Sequence, residues 1–349
     1  MRYLPLACVV PGMILGRTVY GSNGNVLLTA GTTLTARYIV RLKQLGYPAL
    51  YIRSAGEDDD FTLVEPVRMA TRLRAQSVLQ RLAAQVSVGG LSSDGLSEVS
   101  ASVTALLDEV TGNQDVLINA LEVRSFDAYT FGHSVNTCIL SLLAGLNLGL
   151  SRADLLNLGV GALLHDLGKI FVPSEILNKP GSLTAEEFSQ VKSHPERGYH
   201  LLRDRFSPLA AHVAYQHHER CDGTGYPRGL QANETVFLAK IVAVADSLDA
   251  MTSDRVYSRA MVPHKATEVL RAEAPRRYDP DCVKAVTQVI APYTLGTVVR
   301  LDTGEVGEVV GATRHHTTVR VTEGRRRGET LTCPDDGTIV AADEYYPLP

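Results

Sequence analysis

The chain has 349 residues, 45% of them hydrophobic, and a formal net charge of -4. That length allows two or three domains with a sizeable core, and that charge gives no global reason to expect nucleic acid as a partner. Five cysteines, Cys8, Cys138, Cys221, Cys282 and Cys333, are odd in number, scattered and form no CxxC pair, so a reducing, cytoplasmic compartment is the simpler reading.

At the N-terminus, LPLAC before Val9 has the look of a lipidated leader, but Pro5 and Pro11 interrupt the apolar run and only Arg2 supplies charge. No leader is expected. Met13–Tyr20 and Val26–Thr29 alternate like strands around the turn Ser22-Asn23-Gly24-Asn25, Leu34–Leu45 has helical period, and Ala49–Ile52 reads as a short strand. Residues 1–55 therefore form a small α+β module. Glu57-Asp58-Asp59-Asp60 is a solvated acidic linker. Residues 56–106 continue into helices expected at about 66–86 and 97–111, separated by Gly89-Gly90 and Ser92-Ser93-Asp94-Gly95.

Ser134 to Ser151 carries no charge and nearly reaches membrane-spanning length, yet Asn136, Thr137, Gly145, Asn147 and Gly149 dilute it. A buried core helix behind His133 is expected, and no membrane span. A second apolar run, Leu155–Leu164, ends in His165-Asp166-Leu167-Gly168-Lys169. Imidazole nitrogen and ionised carboxylate oxygen are both ligands for divalent transition metals, which gives this pair a reason to stand where a helix leaves the core. The capping box Thr184-Ala185-Glu186-Glu187 starts the helix that delivers His194. His217 and His218 stand at the mouth of a glycine-rich loop, and Asp246 lies in FLAKIVAVADSL, where an ionised carboxylate is costly unless paired or metal-bound. Alone, each of these residues has a bland structural explanation. Together they put imidazoles and carboxylates at several helix ends, as a multi-metal site inside a helical bundle requires. His200 and His212 read as packing or surface residues. His315-His316 with Arg314 and Arg325-Arg326-Arg327 form a basic patch without interleaved aromatics, so it does not restore a nucleic-acid partner.

From about Tyr293 the period becomes two, with Thr297–Leu301, Val306–Val310 and Thr317–Val321 joined by Asp302-Thr303-Gly304 and Glu323-Gly324. Residues 293–349 are expected to form a small β-barrel-like module.

The order His133, His165-Asp166, then Asp246 resembles the HD superfamily of metal-dependent phosphohydrolases. HDLGK, VPSEILNKPGSLTAEE from Val172, HHERCDGTGYP from His217 and ADSLDAMTSDR from Ala245 narrow the resemblance to the HD-GYP family of cyclic di-GMP phosphodiesterases. It covers roughly half of the chain, within a catalytic domain placed at residues 107–292. The implied fold is mainly α: an HD-type helical bundle with a small α+β N-terminal module, of a kind that often precedes such domains, and a small β C-terminal module. The implied activity is hydrolysis of cyclic di-GMP to the linear dinucleotide or GMP by a hydroxide shared between two divalent ions about 4 Å apart. By the same resemblance His133, His165, Asp166 and Asp246 hold one ion, Asp166, His194, His217 and His218 the other, and Asp166 bridges them. Ligands of imidazole and carboxylate type without thiolate favour iron or manganese over structural zinc, and the resemblance favours iron.

Lys169 is the leading cation for phosphate, with Arg255 second. Gly225, Tyr226 and Pro227 shape a loop that lets backbone approach the substrate while Tyr226 touches base or phosphate. Two departures from the family stand out. Tyr129 occupies the position of a glutamate that gives some members a third metal, so two ions are expected. Ser258 falls where a second phosphate-binding cation is common, with Arg259 as its substitute. A catalytically weak cyclic-dinucleotide receptor or scaffold, and a phosphohydrolase acting on another cyclic dinucleotide or nucleotide, are the alternatives. Signalling proteins that meet the N-terminal module are the expected macromolecular partners.

Overall fold

Short alternating segments at the N-terminus pair as small antiparallel ribbons: β1 (Arg2–Pro5) with β4 (Ala49–Ile52), and β2 (Val19–Tyr20) with β3 (Val26–Leu28). Between β3 and β4 lies α1 (Ala36–Gln44), whose N-cap Thr35 accepts a hydrogen bond from the Tyr38 amide and satisfies one of the helix's free donors. Leu6, Leu15, Leu34, Leu42, Leu50 and Ile52 make the core of this part. The first strand is the element the alternation did not announce, because Pro5 and Pro11 break its pattern. The computed structural model describes residues 2–21, 25–47, 49–53, 66–113, 129–179, 181–253, 261–293, 295–313, 316–334 and 338–342. The acidic stretch 57–60 and the turn residues Ser22 to Gly24 lie outside them. Two units are distinguished, residues 65–290 and residues 1–64 together with 291–349.

Residues 65–290 are helical. α2 (Met69–Ser87) and α3 (Ser93–Gly112) pack on each other, α3 starting where the Ser92 hydroxyl accepts the Gly95 amide. The uncharged run becomes α4 (Tyr129–Asn147), which packs against α5 (Arg152–Leu164) and α10 (Phe237–Thr252). Val135, Ile139, Leu142 and Leu143 on α4, Leu158 and Leu163 on α5, and Ile241, Val244 and Leu248 on α10 are each at most 2% exposed. Each such side chain contributes about 1.5–3 kcal/mol through loss of water contact. Enclosure by other helices explains the missing charge on α4, and no helix among the described residues is long and apolar enough to cross a membrane.

The chain leaves α5 at His165 and passes through a 3-10 turn (Leu167–Phe171) into α6 (Ser174–Leu177) and α7 (Ala185–Val191). The capping box at α7 is present in full: Thr184 accepts from the Glu187 amide, and Glu187 accepts from the Thr184 amide. α8 (His194–Leu202) follows with Pro195 near its start, and α9 (Pro208–Gln216) begins after the cap Ser207. α11 (Pro263–Glu273) and α12 (Pro280–Thr287) close the bundle against α10.

The C-terminal strands β5 (Val298–Leu301), β6 (Val306–Ala312), β7 (His316–Glu323), β8 (Thr330–Pro334) and β9 (Ile339–Ala342) form one antiparallel sheet in the order β8-β7-β6-β5-β9. Alternation on β7 buries Thr317, Val319 and Val321, which pack with Val299, Leu301, Val309 and Cys333. The mainly α architecture with a small β tail therefore matches the expectation, with two more strands than the clear alternation marked.

Candidate metal centre

Three histidines reach the centre of the bundle by one local device. His165 follows α5, His194 follows α7 and His217 follows α9, each just beyond the helix's last turn, where backbone carbonyls lack amide partners. In each case ring Nδ1 meets the carbonyl three residues back: Ala162 at 2.7 Å, Val191 at 2.7 Å and Ala214 at 2.9 Å. A carbonyl only accepts, so Nδ1 carries the proton and Nε2 presents a lone pair. The three Nε2 atoms converge on Asp166, at 3.5 Å from its Oδ2 for His165, and at 3.3 Å and 3.9 Å from its Oδ1 for His194 and His217. All four residues are at most 3% exposed.

Asp246 arrives from the opposite side on α10. Its Oδ1 lies 2.9 Å from His133 Nε2 and 3.9 Å from His165 Nε2, and its Oδ2 lies 3.9 Å from His218 Nδ1. Ligand atoms of Asp166, His194, His217 and His218 lie within 4.8 Å of one another, as do those of His133, His165 and Asp166. Asp166 belongs to both groups. The seven residues singled out as metal ligands thus come together from α4, α5, α8, α9 and α10, although up to 113 residues separate them in sequence.

Protonation states suit cations. Burial alone would push the carboxyls up, yet the Lys169 ammonium beside Asp166, and the His133 bond at Asp246, hold both well below the usual carboxylate range. Burial keeps the His165, His217 and His218 imidazoles neutral, and neighbouring imidazoles add to the effect at His217. Among the described residues, His165 Nε2 and Asp166 Oδ1 are fully buried without a hydrogen-bond partner. Leaving such atoms unsatisfied costs about 1–3 kcal/mol each, a penalty that a bound cation would remove. Neutral imidazoles, ionised carboxylates and orphaned lone pairs aimed at one point fit divalent metal ions.

His133 differs from the other imidazoles. Burial disfavours its charged form, but hydrogen bonds to Asp246 and to Asp249, whose Oδ2 lies 2.5 Å from His133 Nδ1, raise its pKa to about 10, so it must release its Nε2 proton to serve as a ligand. Asp249 was not recognised in the sequence as part of the site. It lies three residues after Asp246 on the same buried face of α10, and a second carboxylate within an apolar stripe was the available signal.

Gly168 was also passed over. A Cβ there would stand 2.0 Å from the His194 carbonyl oxygen, so only glycine lets the 3-10 turn lie against α8 and bring Asp166 to His194.

The proposed substrate residues divide. Lys169 Nζ donates to Asp166 Oδ2 at 2.6 Å and is a quarter exposed. Tyr226 stacks on His218 with ring centroids 4.6 Å apart, and its amide donates to the His218 carbonyl. Gly225 serves the loop itself: a Cβ would lie 2.4 Å from Glu219 Cα, so the close backbone approach is to Glu219. The buried Glu219 carboxylate accepts from the Arg228 and Leu230 amides at 2.8 and 2.9 Å and closes the loop around Pro227, which follows a cis peptide bond. Arg255, Ser258 and Arg259 lie outside the described residues. At position 129 the backbone is helical.

A family model described as an HD domain matches residues 115–282. Over 262 residues the chain is 39% identical to the cyclic di-GMP phosphodiesterase PA4108 of Pseudomonas aeruginosa, covering 74% of this chain and 58% of that protein. It is 36% identical over 231 residues to the cyclic di-GMP phosphodiesterase response regulator RpfG of Xanthomonas campestris, covering 64% of this chain and 60% of the relative. Bd1817, a HDG"Y"P protein from Bdellovibrio bacteriovorus, has the same fold, with a TM-score of 0.56 at 18% identity over 82% of this chain and 98% of that one. Fold and site define an HD-domain protein with a His/Asp metal-ligand cluster. Within that class the chain resembles the HD-GYP family. It spans about three fifths of the length of these two curated relatives.

Proposed function

We propose that the chain is a metal-dependent phosphodiesterase that hydrolyses cyclic di-GMP to the linear dinucleotide, GMP or both. The observation that carries this reading is the ionised Asp166 carboxylate, buried within 4 Å of the Nε2 atoms of His133, His165, His194 and His217. Two relatives named as cyclic di-GMP phosphodiesterases support the substrate.

The donor set suits two divalent ions, iron first and manganese second, because it is built from imidazole and carboxylate without thiolate. One ion would take His133, His165, Asp166 and Asp246, the other Asp166, His194, His217 and His218. Such ions supply Lewis acidity at the attacked phosphoryl group and activate water.

The chain's own residues do the remaining work. Lys169 spends one N–H on Asp166 and keeps two for a phosphate oxygen of the substrate. Tyr226, held over His218, offers a ring edge and hydroxyl to base or phosphate; burial pushes that phenol up, so it stays protonated and donates. Arg255 and Arg259 would add charge from the segment after α10, while Gly225 and Pro227 keep the loop's shape. Five free cysteines fit a reducing, cytoplasmic setting, and the N-terminal module is the surface offered to signalling proteins.

The test is to load the protein anaerobically with iron or manganese, count metals, and offer a panel of cyclic dinucleotides. Turnover of cyclic di-GMP is expected, and Asp166→Ala should lose metal and turnover together while remaining helical. A full metal complement with normal turnover in that variant would sink the reading.

A further inference from the structure

Lys192 is a cation beside the centre that no role above absorbs. It follows α7 and stands two residues before His194, half-buried at the edge of the centre. Its Nζ lies 4.7 Å from the centroid of the Phe188 ring and 5.4 Å from that of Tyr226. Tyr226 in turn stacks on His218, so a single ring separates the ammonium from an imidazole of the metal-ligand cluster.

Other basic side chains near the site are engaged. Lys169 is bonded to Asp166, and Lys179 to both oxygens of Glu187. Arg197 donates to the Phe171 carbonyl, and Arg220 to the His217 and Glu219 carbonyls. Among the described residues, no hydrogen bond or ion pair is found for the Lys192 ammonium. Its two ring contacts orient the ammonium and strip part of its water without neutralising it. A partly desolvated, preoriented cation is ready for an anion, because most of the ordering cost is met before binding.

We propose that Lys192 is a substrate-binding residue that grips the phosphate of a cyclic dinucleotide not engaged at the metal centre, with Phe188 and Tyr226 holding its ammonium in place. This rests on the phosphodiesterase reading. A cyclic dinucleotide carries two phosphodiesters on opposite sides of one ring. When one meets the Asp166 cluster, the other needs a cation about one aromatic ring further out. Lys192 occupies that position on the Tyr226 side. Arg255 and Arg259, the other cations the sequence offers for phosphate, come after α10 in the chain and so belong to another segment.

Metal-loaded full-length Lys192→Met keeps the apolar stem and removes the charge. KM for cyclic di-GMP should rise about 10- to 100-fold, the range for losing a charge-assisted hydrogen bond, while kcat moves far less. Metal content and melting temperature should match the wild type, and Lys192→Arg should recover most of the affinity. Added salt should raise the wild-type KM more steeply than that of Lys192→Met. A KM within threefold of the wild type overturns the proposal. So does a fall in kcat with KM unmoved, loss of metal or stability in Lys192→Met, or an arginine variant no better than methionine. Wild-type protein that binds metal yet hydrolyses no cyclic dinucleotide instead defeats the phosphodiesterase reading, and this inference with it.

Discussion

A histidine becomes a directed ligand only when one ring nitrogen is tied down. His165, His194 and His217 are tied by the carbonyl three residues back, a bond that comes with standing just past the end of a helix. His133 is tied by Asp249, which must be recruited from another helix. That distinction makes Asp249 a positioning residue, acting through His133. In Asp249→Asn, affinity of the site for divalent metal should fall about 10- to 100-fold, because a neutral amide holds the ring less firmly and lowers its basicity. Competition against a chromogenic chelator measures this, with circular dichroism reporting the fold. Unchanged affinity would reduce Asp249 to a packing residue. Individual ligands were legible as types in the sequence, since histidine and aspartate among apolar neighbours stand out. Asp249 was harder to recognise, because its partner is 116 residues away in sequence.

At the scale of elements, termini carry the chemistry of the bundle and turns carry the stability of the sheet. Ligands stand at the ends of α5 and α9 and at the start of α8, and Gly168 lets the turn after α5 lie against that start. In the C-terminal sheet, Glu305 just before β6 accepts from the Arg326 amide at 2.9 Å and from its Nε at 2.8 Å. The hydrogen bond from the Arg326 side chain, then that from its amide, lowers the Glu305 pKa to about 2. A carboxyl depressed in the folded state stabilises fully above its unfolded pKa, about 4.3, and that contribution fades as pH falls towards 2. The melting-temperature gap between wild type and Glu305→Gln should therefore be constant above about pH 5.5 and shrink steadily between pH 4.5 and 2. A gap independent of pH across that window would show that the pair contributes no charge-dependent stability.

On the scale of the whole molecule, residues 65–290 contain every one of the seven candidate ligands and a continuous apolar core running from Val67 to Ile290. Expressed alone, this unit should unfold cooperatively and take up the same number of metal ions as the full chain, as elemental analysis would report. A non-cooperative or metal-free product would mean that residues 1–64 or 291–349 complete the core.

The sequence by itself determined the class of protein. Apolar runs at helical spacing read as buried helices, the capping box at Thr184 starts one, and the ordered histidine and aspartate motifs point to the HD-GYP family from local patterns. Tertiary structure decided what local pattern cannot encode: which carboxylate faces which imidazole, that Gly225 yields to Glu219 backbone, that Lys169 is bonded to Asp166, and that Lys192 meets two rings and, among the described residues, no acid. Periodicity reports whether a side chain faces the core, but the partner it meets there depends on how separate helices cross. Neither hydrogen bonds nor coordination distances are written into spacing along one strand of chain.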